Sequence, residues 1–125
     1  MSMMYTRGVR GATTVEVNTA EAILAATREM LSQILDANGL KSDDVASAVF
    51  TCTPNLPAAF PAAAARQLGW ENAALMDSQE MAVPDALPMC VRVLLHVNTP
   101  KQQREIVHIY LRGATNLRAT VPPIR

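Results

Sequence analysis

The sequence predicts an α+β domain, one mixed β-sheet with two helices on one of its faces. Three observations carry this reading. Apolar, β-branched runs bounded by Pro, Gly and Asn recur along the chain, most clearly at residues 89–97. Two stretches switch to helical character, a long one from Asn18 to Gly39 and a short alanine-rich one from Ala62 to Leu68. Strands and helices alternate through the first half and strands dominate the second, an order that seats both helices on one side of a single sheet.

At 125 residues the chain is read as one domain, residues 1–125, long enough for a real core and too short for two. Its apolar fraction of 50% and formal net charge of zero leave no electrostatic footprint for nucleic acid or an acidic membrane. No segment approaches membrane-spanning length, so a soluble, cytoplasmic protein is expected. The basic residues are lopsided, nine Arg against two Lys. Arg grips carboxylates bidentately and tolerates partial burial, so this bias is a weak pointer to a small anionic ligand. Cys52 and Cys90 have neither metal-ligand spacing nor a secreted disulfide pattern and read as reduced core residues.

Residues 5–14 form a first strand with Arg7 and Arg10 on opposite faces, one of them expected to point inward. Gly8 and Gly11 flank Val9-Arg10 and mark a bulge or a place where another group approaches the backbone. Asn18 with Glu21 makes a capping-box-like start to the long helix. Ile23, Thr27, Met30, Leu31, Ile34 and Leu35 then recur at helical spacing until Asn38-Gly39. Lys41 to Asp44 is a turn or a single helical turn, and residues 45–52 are the second strand. Pro61 suits the first turn of the short helix and Gly69 its stop, and so many alanines predict close packing against the sheet or another subunit.

A short third strand is expected at residues 72–76, left by the polar Asp77-Ser78-Gln79-Glu80. Val83-Pro84 and Leu87-Pro88 make residues 81–88 a loop. The strand at 89–97 shows no polar alternation, which predicts cover on both faces. Arg92 sits in its middle and cannot be discharged, so burying it costs several kcal/mol, roughly, unless an anion meets it. Glu80 could be that anion; a structural ion pair and a ligand site fit equally well. Residues 105–111 alternate as a last strand, and residues 113–125 form a tail expected to be mobile at its end. A sheet with two helices on one face leaves the other in need of cover, for which self-association is the simplest answer.

Chemistry-bearing motifs are few. The chain has no GxGxxG fingerprint, P-loop, HExxH, CxxC or serine elbow, so no cofactor and no metal are expected. His96 and His108 read as structural. What remains is Arg10, Arg66, Arg92 and Arg118 with one acid, Glu80, and one phenol, Tyr110. Such a set could bind a small polycarboxylate and catalyse a reaction needing only positioning and charge compensation.

In order along the chain stand Arg7-Gly8-Val9-Arg10-Gly11-Ala12-Thr13-Thr14-Val15-Glu16, Thr53-Pro54-Asn55-Leu56, Phe60-Pro61-Ala62, Ala65-Arg66 and Gly69-Trp70. Gln79-Glu80-Met81, Cys90-Val91-Arg92-Val93 and His108-Ile109-Tyr110-Leu111 follow. With these blocks the chain resembles the trimeric, monofunctional chorismate mutases of the AroH type. The resemblance implies a homotrimer packing as a pseudo-α/β barrel, no cofactor, and active sites in clefts between subunits. It implies the Claisen rearrangement of chorismate to prephenate in Phe and Tyr biosynthesis. By the same resemblance Arg92 donates to the ether oxygen, Arg10 and Tyr110 bind the side-chain carboxylate, and Glu80 accepts the ring hydroxyl. Arg66 and Arg118 help with the ring carboxylate, Phe60, Ala62 and Leu117 form apolar walls, and the tail with Leu117 and Arg118 is a flap.

The chain departs from the family pattern at several places. Ala63 stands where a Lys occurs, Asp77 where a Cys touches the ring hydroxyl, and Met76 where a Thr occurs, and the turn before Trp70 is a residue shorter. Met76 and Asp77 are carried as substrate-binding candidates, although a carboxylate at 77 would repel a dianion unless protonated, turned away or used as an acceptor. Two other readings stay open: a non-catalytic, small-anion-binding regulatory trimer, and an imine-deaminase-like trimer.

Overall fold

The sheet is built around β4, Cys90–Thr99, which has neighbours on both sides. In the computed structural model, which describes residues 3–117, the strand order is β3-β2-β4-β1-β5. The elements are β1 (Tyr5–Thr14), α1 (Ala20–Asn38), β2 (Val45–Cys52), α2 (Ala62–Gln67), β3 (Ala74–Gln79), β4, and β5 (Ile109–Tyr110). β4 runs antiparallel to β1 and β2, while β3 is parallel to β2 and β5 to β1, so the sheet is mixed.

Side chains alternate along β4, and that alternation divides the molecule. Val91, Val93, Leu95 and Val97 are buried in one core with Val9, Phe50 and the α1 residues Ile23, Met30, Leu31 and Ile34. Ala62 and Ala65 of α2 join the same core, so both helices lie over one face. On the other face Arg92 and His96 are half-buried and Leu94 is 39% exposed. Among the described residues the expectation of cover on both faces is therefore not met. Cys90 and Leu94, apolar residues at open-face positions, hide the alternation from a reader of the sequence. Among the described residues, the Cys90 end of that face is closed by a small cluster with Ala12 and Ala114.

Local chemistry explains the element ends. Thr19, not Asn18, caps α1, its hydroxyl accepting from Ala22 N at 3.1 Å, while Asn18 Oδ1 accepts from Ala58 N at 3.0 Å. Gly39 closes the helix in the left-handed conformation at φ 62°. Gly11 faces α1 so closely that a Cβ there would lie 2.7 Å from Ile34 Cδ1. Neither arginine of β1 enters the core. Arg7 Nε donates to Lys101 O at 2.8 Å and its guanidinium stacks 4.7 Å from the Tyr5 ring centroid, while Arg10 lies on the open face.

Two strands differ from expectation. β3 begins and ends later than residues 72–76, because pairing with β2 from Ser47↔Ala74 to Cys52↔Gln79 draws Asp77, Ser78 and Gln79 into the sheet. An edge strand tolerates such polar residues, whose outward groups stay in water. The last strand shrinks from residues 105–111 to Ile109–Tyr110 because side chains take the backbone groups before it. Asn38, 1% exposed, donates from Nδ2 to Ile34 O and Val107 O, both at 2.9 Å, and accepts Val107 N on Oδ1 at 2.7 Å. Asn38→Ala should cost roughly 2–4 kcal/mol, since it strands buried backbone groups of two segments. A lowered urea midpoint with unchanged slope would show it; an unchanged midpoint would mean that water replaces the amide.

Candidate active site

The open face of the sheet carries a cavity of ≈ 500 Å³. Its wall is made of Arg10, Gly11, Ala12, Val49, Thr51, Glu80, Arg92, Val93, Leu94, Tyr110 and Leu117. Strand register puts these groups together. Arg10 pairs with Leu94 and Ala12 with Arg92 across β1 and β4, and Thr51 pairs with Arg92 across β2 and β4. Glu80 lies one residue past β3, its N–H donating to Cys52 O at 2.9 Å. β5 aligns Tyr110 with Ala12, and Leu111 N donates to Ala12 O at 2.9 Å.

The charges are unevenly compensated. Arg92 Nε lies 2.8 Å from Glu80 Oε1, but the N–H is not directed at the oxygen, so the contact is ionic. Glu80 Oε2 and Thr51 Oγ1 are buried and have no hydrogen-bond partner among the described residues. Arg10 belongs to neither ion pair among the described residues, which are Arg92–Glu80 and Arg112–Glu29. Among the described residues, two guanidiniums and one carboxylate line the cavity, one positive charge in excess. An anion with a hydroxyl to donate would fit that inventory.

Five of the sequence-predicted site residues, Arg10, Glu80, Arg92, Tyr110 and Leu117, thus meet in one cavity. The others lie elsewhere on the chain. Phe60, 72% exposed, and Asp77 line a second hollow of ≈ 380 Å³. Arg66 borders a third, with Trp70 and Glu71. Met76 is exposed on β3 opposite Val49. Ala62 is buried, and its N–H donates to Asp77 Oδ1 at 2.9 Å, so Asp77 is turned to the start of α2. Arg118 lies outside the described residues. Val49 and Thr51 escaped the sequence reading; their only signal was that alternate positions of β2 share a face with Arg92.

The tail starts from a fixed point. Gly113 N donates to Thr14 Oγ1 at 2.9 Å, Ala114 is fully buried, and Arg112 Nε lies 3.2 Å from Glu29 Oε1. The cysteines are free, Cys90 buried and Cys52 half-buried. Burial pushes the Cys90 thiol above its ordinary value, and burial with the nearby Asp77 and Glu80 charges pushes Cys52 up. Both are therefore neutral and poor nucleophiles near pH 8. A thiol reagent there should modify Cys52 slowly and Cys90 only in denaturant. Because the folded pKa values are raised, the stability linked to these thiols is complete below about pH 9 and is withdrawn as pH rises through the folded values. Rapid native labelling of Cys90 would contradict its burial.

Among the described residues no helix is long and apolar enough to cross a membrane, and no group of three or more His, Cys, Asp or Glu could hold a metal ion. The chain matches the family model "Chorismate mutase type I" over residues 6–121. It is 49% identical over 113 residues to the chorismate mutase AroH of Thermus thermophilus, covering 90% of this chain and 93% of that protein. It is 43% identical over 116 residues to the AroH of Bacillus subtilis, covering 92% and 91%. Among solved structures, a chorismate mutase from Clostridium thermocellum superposes with a TM-score of 0.84 at 50% identity, covering 86% of this chain and 96% of that one.

Proposed function

The chain belongs to the type I chorismate mutases, and from that premise we propose how its residues divide the conversion of chorismate to prephenate between two copies of the chain. The enzyme is an isomerase of aromatic biosynthesis. Its substrate is a dianion, and its reaction is a pericyclic Claisen rearrangement in which no base or nucleophile takes part. Two tasks remain for the protein: holding the compact diaxial conformer, and stabilising the negative charge that develops on the ether oxygen as the C–O bond breaks.

In this reading Arg92 donates to the ether oxygen from near the start of β4. Arg10 and Tyr110 take the side-chain carboxylate, and Arg10 suits that role because no carboxylate among the described residues forms an ion pair with it. Glu80 Oε2 accepts the ring hydroxyl. The observation that carries the proposal is this buried carboxylate oxygen, without a hydrogen bond among the described residues, held beside Arg92 in a cavity that Arg10 also lines.

Among the described residues, Phe60 and Asp77 line one hollow and Arg66 another, apart from the cavity of Arg92, and Met76 is exposed on β3, which supports a site completed by a neighbour in a homotrimer. That neighbour's α2–β3 edge would supply Arg66 toward the ring carboxylate and Phe60 as an apolar wall, with Ala62 packed beneath. Asp77 spends its charge on the Ala62 N–H of its own chain, so its repulsion of the dianion is moderated. The segment with Leu117 and Arg118 closes over the bound substrate, and the enzyme works in the cytoplasm without a cofactor.

Two inactive variants test the shared site. Purified wild-type protein converts chorismate to prephenate, while Arg92→Ala and Arg66→Ala alone do so poorly. Co-refolded at equal amounts, they should recover about one quarter of the wild-type rate, because each mixed trimer regenerates one of its three sites. Mixed trimers that form yet recover nothing would place both arginines in a site built by one chain.

A further inference from the structure

We propose that Thr51 selects for the ring hydroxyl of the substrate, its own hydroxyl forming the second half of a recognition site whose first half is Glu80 Oε2; this deepens the site reading above and rests on it. Thr51 was part of no motif in the sequence. It stands at an alternate position of β2, on the open face with Val49, and pairs directly with Arg92 across the sheet. Its Oγ1 is buried and has no hydrogen-bond partner among the described residues.

A buried threonine hydroxyl ordinarily bonds to a carbonyl, as Thr27 does with Ile23 O at 2.7 Å. Thr53 Oγ1 likewise donates to Asn55 Oδ1 at 2.6 Å and accepts from Cys90 N at 3.1 Å. Thr51 is the exception among them. Among the described residues, the other buried side-chain atoms without a hydrogen bond are Glu80 Oε2 and Arg92 Nε, the latter in ionic contact with Glu80, and both belong to the same cavity wall. Such clustering is what a site kept for a polar guest looks like, because each unpartnered group costs stability until the guest arrives.

The chemistry of the two halves is complementary. An alcohol has one proton to donate and lone pairs to fill. A carboxylate such as Glu80 can only accept, so it satisfies the proton and leaves the alcohol oxygen unmet. A threonine hydroxyl can donate, so Thr51 with Glu80 recognises an alcohol completely, where either alone would recognise it in part. A site built to bond a hydroxyl rejects the analogue that lacks it, since its buried groups then stay unpaired. The role assigned is selection, with the developing ether charge left to Arg92.

Thr51→Val and Thr51→Ser separate this role from a structural one. Valine keeps the shape and removes the hydroxyl, so it should leave the melting temperature unchanged or raise it, because an unpartnered polar atom disappears. It should nonetheless weaken kcat/KM about tenfold. Serine should stay within about threefold of wild type. The decisive reading is inhibition by two cyclic dicarboxylates that differ only by a ring hydroxyl. Wild type and Thr51→Ser should prefer the hydroxylated one, and Thr51→Val should lose about tenfold of that preference while binding the other as before.

A Thr51→Val protein that keeps both the preference and the rate overturns the proposal. So does one that loses affinity for both inhibitors alike, or that changes its oligomeric state on gel filtration, since the hydroxyl would then serve packing or an interface. Should the valine variant fail to fold, Thr51→Ala carries the same comparison. Failure of the parent reading looks different: Glu80→Gln would then leave wild-type turnover and hydroxyl preference untouched.

Discussion

Replacing Arg92 with alanine is expected to lower kcat by about 10²-fold or more, the usual loss when a donor aimed at developing negative charge is removed. Three features make this the largest effect of any single change. Arg92 lies near the start of β4, held by pairs to Ala12 on one side and Thr51 on the other, so its guanidinium is placed by the sheet rather than by a loop. Its charge is poised against Glu80 at 2.8 Å, so removing it also leaves a carboxylate facing a dianionic substrate, and KM should rise as well. Its contribution to stability is small, because the pair is partly exposed, with side chains 39% and 18% accessible, and such pairs are worth about 1 kcal/mol or less. Steady-state kinetics with a melting curve would show a folded, slow enzyme. Unchanged turnover would remove Arg92 from the chemistry, and an unfolded variant would make the ion pair structural. Arg92→Lys should recover little, since an ammonium cannot reproduce the planar fork.

Ending the chain after Asn116 is expected to raise KM for chorismate about tenfold or more, with a smaller change in kcat. This removes Leu117 from the cavity wall, together with Arg118 and the segment that we propose closes the site. The position of the cut matters. Ending at Arg112 would also delete fully buried Ala114 and the bond from Gly113 N to Thr14 Oγ1, confounding a binding defect with a folding defect. The longer form should keep the wild-type melting temperature. A kinetically silent truncation would show that nothing beyond Asn116 contributes to the site.

Much of the fold was legible because local and tertiary signals agree. β1 and β2 occupy the residues that alternation and turn chemistry assign to them, and α1 ends at its glycine. The pairing of Arg92 with Glu80 was also within reach, since a guanidinium in an apolar strand needs an anion, although Asp77 and Asp85 also lie upstream and the strand register decides for Glu80. Where neighbours decide, the reading failed. The span of β3 depends on its register against β2, and the shortening of β5 on the amide of Asn38, distant in sequence from Val107. For the site, ionisable residues announced themselves, whereas Thr51 did not. A threonine in a strand is unremarkable until its missing partner is seen.

The two-sidedness of β4 bears on how the protein can fail. Odd-numbered residues from Val91 to Val97 fill the core, and Arg92 on the even side reaches the cavity. A slip of one residue in the pairing of this strand would drive Arg92 under the helices and turn the valines toward substrate. Core and catalyst would be lost in the same stroke. Misregistered molecules should therefore be unstable as well as inactive, and proteolysis would clear them first. Independent preparations that resist protease should share one specific activity, with no reservoir of well-folded but silent enzyme.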